Sequence, residues 1–142
     1  MKKNNYRIIG VDFDGTLAHT KGIYPNIGEP IIEIIDYILE EQKKGEYIIL
    51  ITMRENGELD MAVEWCNEHG VVFDAVNDNL PHMKEFFNNN PRKIFCNEYL
   101  DDMNIGGIDT VLQEIKNKKG IKQETSWRFI KNMILYKYES HE

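Results

Sequence analysis

Apolar residues along this chain fall into short unbroken runs separated by stretches of helical spacing. The first run opens residues 8–17, IIGVDFDGTL, where Ile8, Ile9 and Val11 enclose Gly10. Such a run suits a buried central strand, and its charged end must lie where the sheet stops. Residues 18–30 read as a polar loop punctuated by Pro25, Gly28 and Pro30, with Pro30 placed to open a helix. That helix is expected over residues 30–44, because Ile31, Ile34, Ile35, Ile38 and Leu39 share one face and Gly45 follows.

The alternation continues with a strand over residues 47–52 (YIILIT) and a helix over 58–69, whose Leu59, Ala62, Trp65 and Cys66 point inward and which Gly70 stops. A short strand is expected at 71–75 and another at 95–100. Between them, residues 77–92 are polar and asparagine-rich, with Met83, Phe86 and Phe87 allowing a turn or two of helix. Gly106 and Gly107 then break the chain, and a helix follows over 108–118. The tail at 124–138, with Trp127, Ile130 and Ile134 at helical spacing, reads as an amphipathic helix, although a strand is not excluded by periodicity.

Strands alternating with helices predict an α/β fold, a Rossmann-like three-layer sandwich with a mostly parallel central sheet. At 142 residues with 42% hydrophobic content, the chain suits one domain with a real core, about 6–120, plus the C-terminal helix. The net charge of −7 argues against nucleic acid and anionic membrane as partners. Cys66 and Cys96 lack metal-ligand spacing and read as buried thiols in a reducing cytoplasm. No signal peptide or membrane span is expected from the apolar pattern.

A parallel sheet gathers its strand ends at one edge, which would bring together Asp12 with Asp14, Thr52 with Arg54, and Asp101 with Asp102. Several carboxylates at one edge suit a hard cation with oxygen ligands, by default Mg²⁺. A metal would neutralise the acids and leave room for phosphate oxygens, which a lysine and a hydroxyl could also hold. An aspartate can attack phosphorus itself, and a carboxyl two residues on can handle the proton of the leaving oxygen. The bland alternative is that the acids cap the next elements. Arg54 is open between binding a second anionic group and pairing with Glu55 or Glu58 at the surface. Phe86 and Phe87 fit a packed helix better than the mouth of a site; Trp65 and Trp127 fit the core, and His19 a solvated loop.

DFDGTL at residues 12–17 resembles motif I of the haloacid dehalogenase (HAD) superfamily. Thr52, Lys93 and the pair Asp101 and Asp102 resemble motifs II, III and IV in the same order, and the likeness extends over about residues 6–107. In detail the chain is similar to small HAD-like proteins without a cap domain. The resemblance implies a Mg²⁺-dependent phosphohydrolase in which Asp12 is nucleophile and metal ligand. It implies Asp14 as general acid/base, with its backbone carbonyl on the metal. Thr52 and Lys93 would hold phosphoryl oxygens, with Lys84 as a second candidate for the lysine. Asp101 and Asp102 would complete the metal site, and Gly15, Thr16, Met53 and Arg54 would line the substrate. The implied substrate is a small phosphorylated molecule, a sugar phosphate or nucleotide, or a phosphoprotein. A homo-oligomer built on the tail is compatible with it. Phosphoryl transfer as in a mutase, a receiver-like signalling module and a non-catalytic binding fold are the rival readings. A receiver orders these residues differently and has no acid two positions beyond its acceptor.

Overall fold

The computed structural model describes residues 5–118. The amphipathic helix expected at 124–138, with Trp127, lies outside the described residues. Within them the chain is an α/β fold built on a parallel sheet of four strands in the order β5-β4-β1-β6, a layout compatible with a Rossmann-like arrangement. β1 is Ile8–Val11, β4 Tyr47–Leu50, β5 Ala75–Val76 and β6 Glu98–Leu100. The helices are α1 (Ile32–Lys43), α2 (Asn56–Glu68), α3 (Pro81–Phe87) and α4 (Gly107–Asn117). No helix among the described residues is long and apolar enough to cross a membrane.

β1 is interior because each of its four residues is buried. Its alternate side chains feed two cores. Ile9 and Val11 pack with Ile48, Leu50 and the buried faces of α1, α2 and α4, whereas Ile8 joins Ile49, Leu80, Met83 and Cys96 on the opposite face. Gly10 makes room for its neighbours, since a Cβ there would lie 2.7 Å from both Cys96 Sγ and Ile51 Cδ1 and those side chains would have to shift. Phe86 and Phe87 pack against this second cluster, as the helix reading expects.

Residues 18–30 are not the expected loop. They form an antiparallel hairpin of β2 (Ala18–Thr20) and β3 (Ile27–Pro30), and Pro30 pairs with Ala18 instead of opening α1. Proline at a strand end loses nothing, because its missing N–H faces no ladder partner. The strands expected at 71–75 and 95–100 are shorter and later, for a related reason. Asp74 Oδ2 accepts the Ile48 N–H at 2.8 Å, and Asn97 Oδ1 accepts the Ile8 N–H at 2.7 Å, so a side chain takes one half of each exchange while the Asp74 and Asn97 N–H groups donate to Ile48 O and Ile8 O.

Both thiols are buried as expected, and burial pushes each up to about 12. A thiol that stays protonated and covered is a poor nucleophile. The native protein should therefore leave both cysteines unlabelled by a disulfide reagent at pH 8 over minutes, while the urea-unfolded chain reacts at both. Rapid labelling of either thiol in the folded protein would contradict this packing.

Candidate active site

The strand register sets the site. Val11 pairs with Leu100 on one side and Leu50 on the other, so Asp12 leaves the sheet between Asp101 and Ile51. The Asp12 N–H continues the ladder by donating to Leu100 O at 2.9 Å. Asp12, Asp101 and Asp102 each present a carboxylate oxygen within 4.8 Å of the others. That spacing fits oxygens sharing one hard divalent cation. Burial, and then the charge of Asp101, push the Asp12 carboxyl up to about 7, with a hydrogen bond to Asp102 adding to the rise. Three acids held this close without a cation repel one another, which is the condition a metal would relieve.

Each acid is placed by its neighbours. Thr16 is fully buried, and its hydroxyl donates to Asp102 Oδ1 at 3.2 Å while accepting the Asp102 N–H at 2.9 Å. Its hydroxyl thus serves Asp102, and the Thr16 side chain is covered in the folded chain. Gly15 has φ +82, and a Cβ there would fall 2.4 Å from Asp102 Oδ2, so only glycine lets the carboxylate lie against the backbone. Asp101 Oδ1 accepts the Met103 N–H at 2.9 Å, fixing the turn after β6.

Asp14 stands apart from that triad. Its two oxygens accept from Arg54 Nε and Nη2, both at 2.9 Å. Arg54, expected on a substrate anion or at the surface with Glu55 or Glu58, is instead fully buried, and it meets α2 through the Glu58 backbone carbonyl at 3.1 Å. Met53, between Thr52 and Arg54, is 95% exposed.

Thr52 is half-buried at the end of β4. Its N–H donates to Asn77 Oδ1 at 2.8 Å, and its hydroxyl oxygen accepts the Arg54 N–H at 3.1 Å, leaving the hydroxyl proton to donate outward. Lys84 is committed to an ion pair with Asp78 at 2.6 Å. Lys93 is exposed, its ammonium 5.8 Å from the centre of the Tyr99 ring. Its backbone is tied to the end of β5 by Asn79, which is buried. The Asn79 amide nitrogen donates to Pro91 O at 2.9 Å, and its oxygen accepts the Phe95 N–H at 2.8 Å. Asn77 and Asn79 are the residues sequence reasoning missed. The only signal was asparagine within three residues after an apolar run, where a side-chain amide can bond to backbone.

No protein-family model and no curated protein matches the chain. A solved structure of a conserved protein coded by a locus of Bacteroides thetaiotaomicron is similar to it, with a TM-score of 0.65 and 34% identity. The likeness covers 80% of this chain and 92% of that one. The chain belongs to the same family as that conserved Bacteroides thetaiotaomicron protein.

Proposed function

We propose that the protein is a HAD-like phosphohydrolase that cleaves phosphomonoesters through an aspartyl-phosphate on Asp12, with Mg²⁺ as its cofactor. The observation that carries this reading is the Asp12, Asp101 and Asp102 cluster at the end of the central strand, set by the same DFDGTL segment that resembles motif I. Mg²⁺ held by those three carboxylates would offset most of their charge and supply polarisation of a phosphoryl oxygen. Asp12 attacks phosphorus, the P–O bond to the leaving group breaks, and the departing oxygen takes a proton from the Asp14 carboxyl. Water then attacks phosphorus, losing its proton to Asp14, the P–O bond to Asp12 breaks to return its carboxylate, and inorganic phosphate leaves. Thr52 donates its free hydroxyl proton to a phosphoryl oxygen, and Lys93 supplies the positive charge. Lys93 is preferred to Lys84 because Lys84 is already paired with Asp78.

The capless reading is supported by what lies between β1 and α1, a single hairpin of two short strands. A small molecule or the exposed side chain of a phosphoprotein fits an edge so lightly covered. A receiver-like module is disfavoured by Asp14, which supplies the proton chemistry that turnover needs.

A panel of phosphomonoesters should be hydrolysed in the presence of Mg²⁺, with activity lost to EDTA and restored by added Mg²⁺. BeF₃⁻ should attach to Asp12 under the same conditions. No turnover across the panel, or turnover indifferent to EDTA, would overturn the proposal.

A further inference from the structure

The geometry points to Arg54 as a positioning residue that fixes the Asp14 carboxyl and links it to the tip of the β2–β3 hairpin, an inference that rests on the phosphohydrolase reading above. Arg54 has no solvent exposure, whereas the Asp14 side chain is 34% exposed. The ion pair therefore has a closed side and an open side. On the closed side, Nε and Nη2 meet both carboxylate oxygens at 2.9 Å in a fork that fixes the plane of the carboxyl as well as its place.

The guanidinium is itself held from four directions. Nη1 donates to Glu58 O at 3.1 Å, and Nη2 donates to Pro25 O at 3.0 Å. Its central carbon lies 5.0 Å from the centre of the Phe13 ring and 4.9 Å from that of Tyr24. Phe13 separates the two aspartates of DFDGTL and packs edge-on against Trp65 of α2. Tyr24 and Pro25 belong to the hairpin tip, so Arg54 joins the β1 exit, α2 and the hairpin around one carboxyl. Burying a guanidinium is costly unless its N–H groups are satisfied, and here they are met by the Asp14 carboxylate, the Glu58 carbonyl of α2 and the Pro25 carbonyl of the hairpin tip. A residue so placed acts through Asp14. It contributes where a leaving group needs a proton delivered in line, and little where the leaving group departs as a stable anion.

The test compares an alkyl phosphate with an activated aryl phosphate in Arg54→Lys, which keeps the charge and loses the fork. The alkyl phosphate should lose about 10²-fold in kcat, as expected for a misplaced catalytic group, and the aryl phosphate less than about fivefold. In an Asp14→Asn background, Arg54→Lys should add no further selective loss. Should Arg54→Lys fail to fold, Tyr24→Leu at the exposed tip should lower alkyl phosphate turnover several-fold more than aryl. Equal losses on both substrates, or selective loss that persists without Asp14, would overturn the assignment. A crystal structure of Arg54→Lys that leaves the Asp14 carboxyl in place would overturn it independently of any turnover. A wild-type protein inactive on both esters would instead remove the phosphohydrolase reading.

Discussion

Asp12→Asn should abolish phosphatase turnover and at the same time raise the melting temperature of the metal-free protein. The two effects share one origin. Asp12 is half-buried beside Asp101 and Asp102, and its carboxyl already stands at about 7 because burial and those charges oppose its ionisation. An amide of nearly the same shape removes that repulsion. Allowing for solvent screening of a partly exposed group, the gain is about 1–2 kcal/mol at neutral pH. Most substitutions at half-buried polar positions destabilise, so an increase would mark a residue kept for function at the expense of the fold. Turnover should fall by at least about 10³-fold, the scale seen when a nucleophile is removed. Mg²⁺ should raise the melting temperature of the wild type and hardly move that of Asp12→Asn, since binding only to the folded state stabilises by mass action. Differential scanning calorimetry with and without Mg²⁺ reads both effects. A variant less stable than wild type without metal would show that the three acids do not repel as their geometry requires.

The sheet was legible because its signal is local. YIIL and IIGV are apolar runs with few other structural uses, and their charged or hydroxylated ends mark the edge where Asp12 and Thr52 emerge. The hairpin at 18–30 was not legible, because its strands are short and largely exposed, and its prolines and glycines carry the same signal as a loop. The role of Arg54 was hidden for a different reason. Nothing in a sequence says whether an arginine at a strand end points to solvent or into a pocket formed by Phe13, Tyr24 and Pro25, residues drawn from two other segments. Thr16 shows the same limit at shorter range. Its place in DFDGTL suggests contact with substrate, yet its hydroxyl turns to Asp102, a partner far along the chain. Asn77 and Asn79 belong to the stretch where composition alone gave least, because their work is done by side-chain amides bonding to backbone.

Arg7→Met should be the most destabilising single change away from the site, by about 3–5 kcal/mol. Arg7 immediately precedes β1, at the edge of the sheet opposite Asp12, and is 5% exposed. Its guanidinium faces Glu41 at 3.5 Å and Glu46 at 3.7 Å, pairs with Glu98, and donates to the Tyr37 hydroxyl at 3.2 Å. Lys118 adds a second cation by pairing with Glu98. The cluster draws one acid from α1, one from the link into β4 and one from β6, so Arg7 joins three separate segments by charge. Methionine would fill much of the volume and leave the carboxylates of Glu41 and Glu46 buried with far less compensation. Against a total stability of about 5–15 kcal/mol for a domain, the loss is large but measurable by urea unfolding. Its pH dependence follows from Glu41, which burial already raises above the usual carboxylate range, with Arg7 pulling the other way. An acid raised in the folded state binds more protons folded than unfolded, so its ionisation costs stability as pH rises through that window. Removing Arg7 enlarges the rise. The deficit of Arg7→Met should therefore be greatest at neutral pH and shrink as pH falls towards the ordinary glutamate range. A deficit that is constant with pH would assign the effect to lost packing instead of charge.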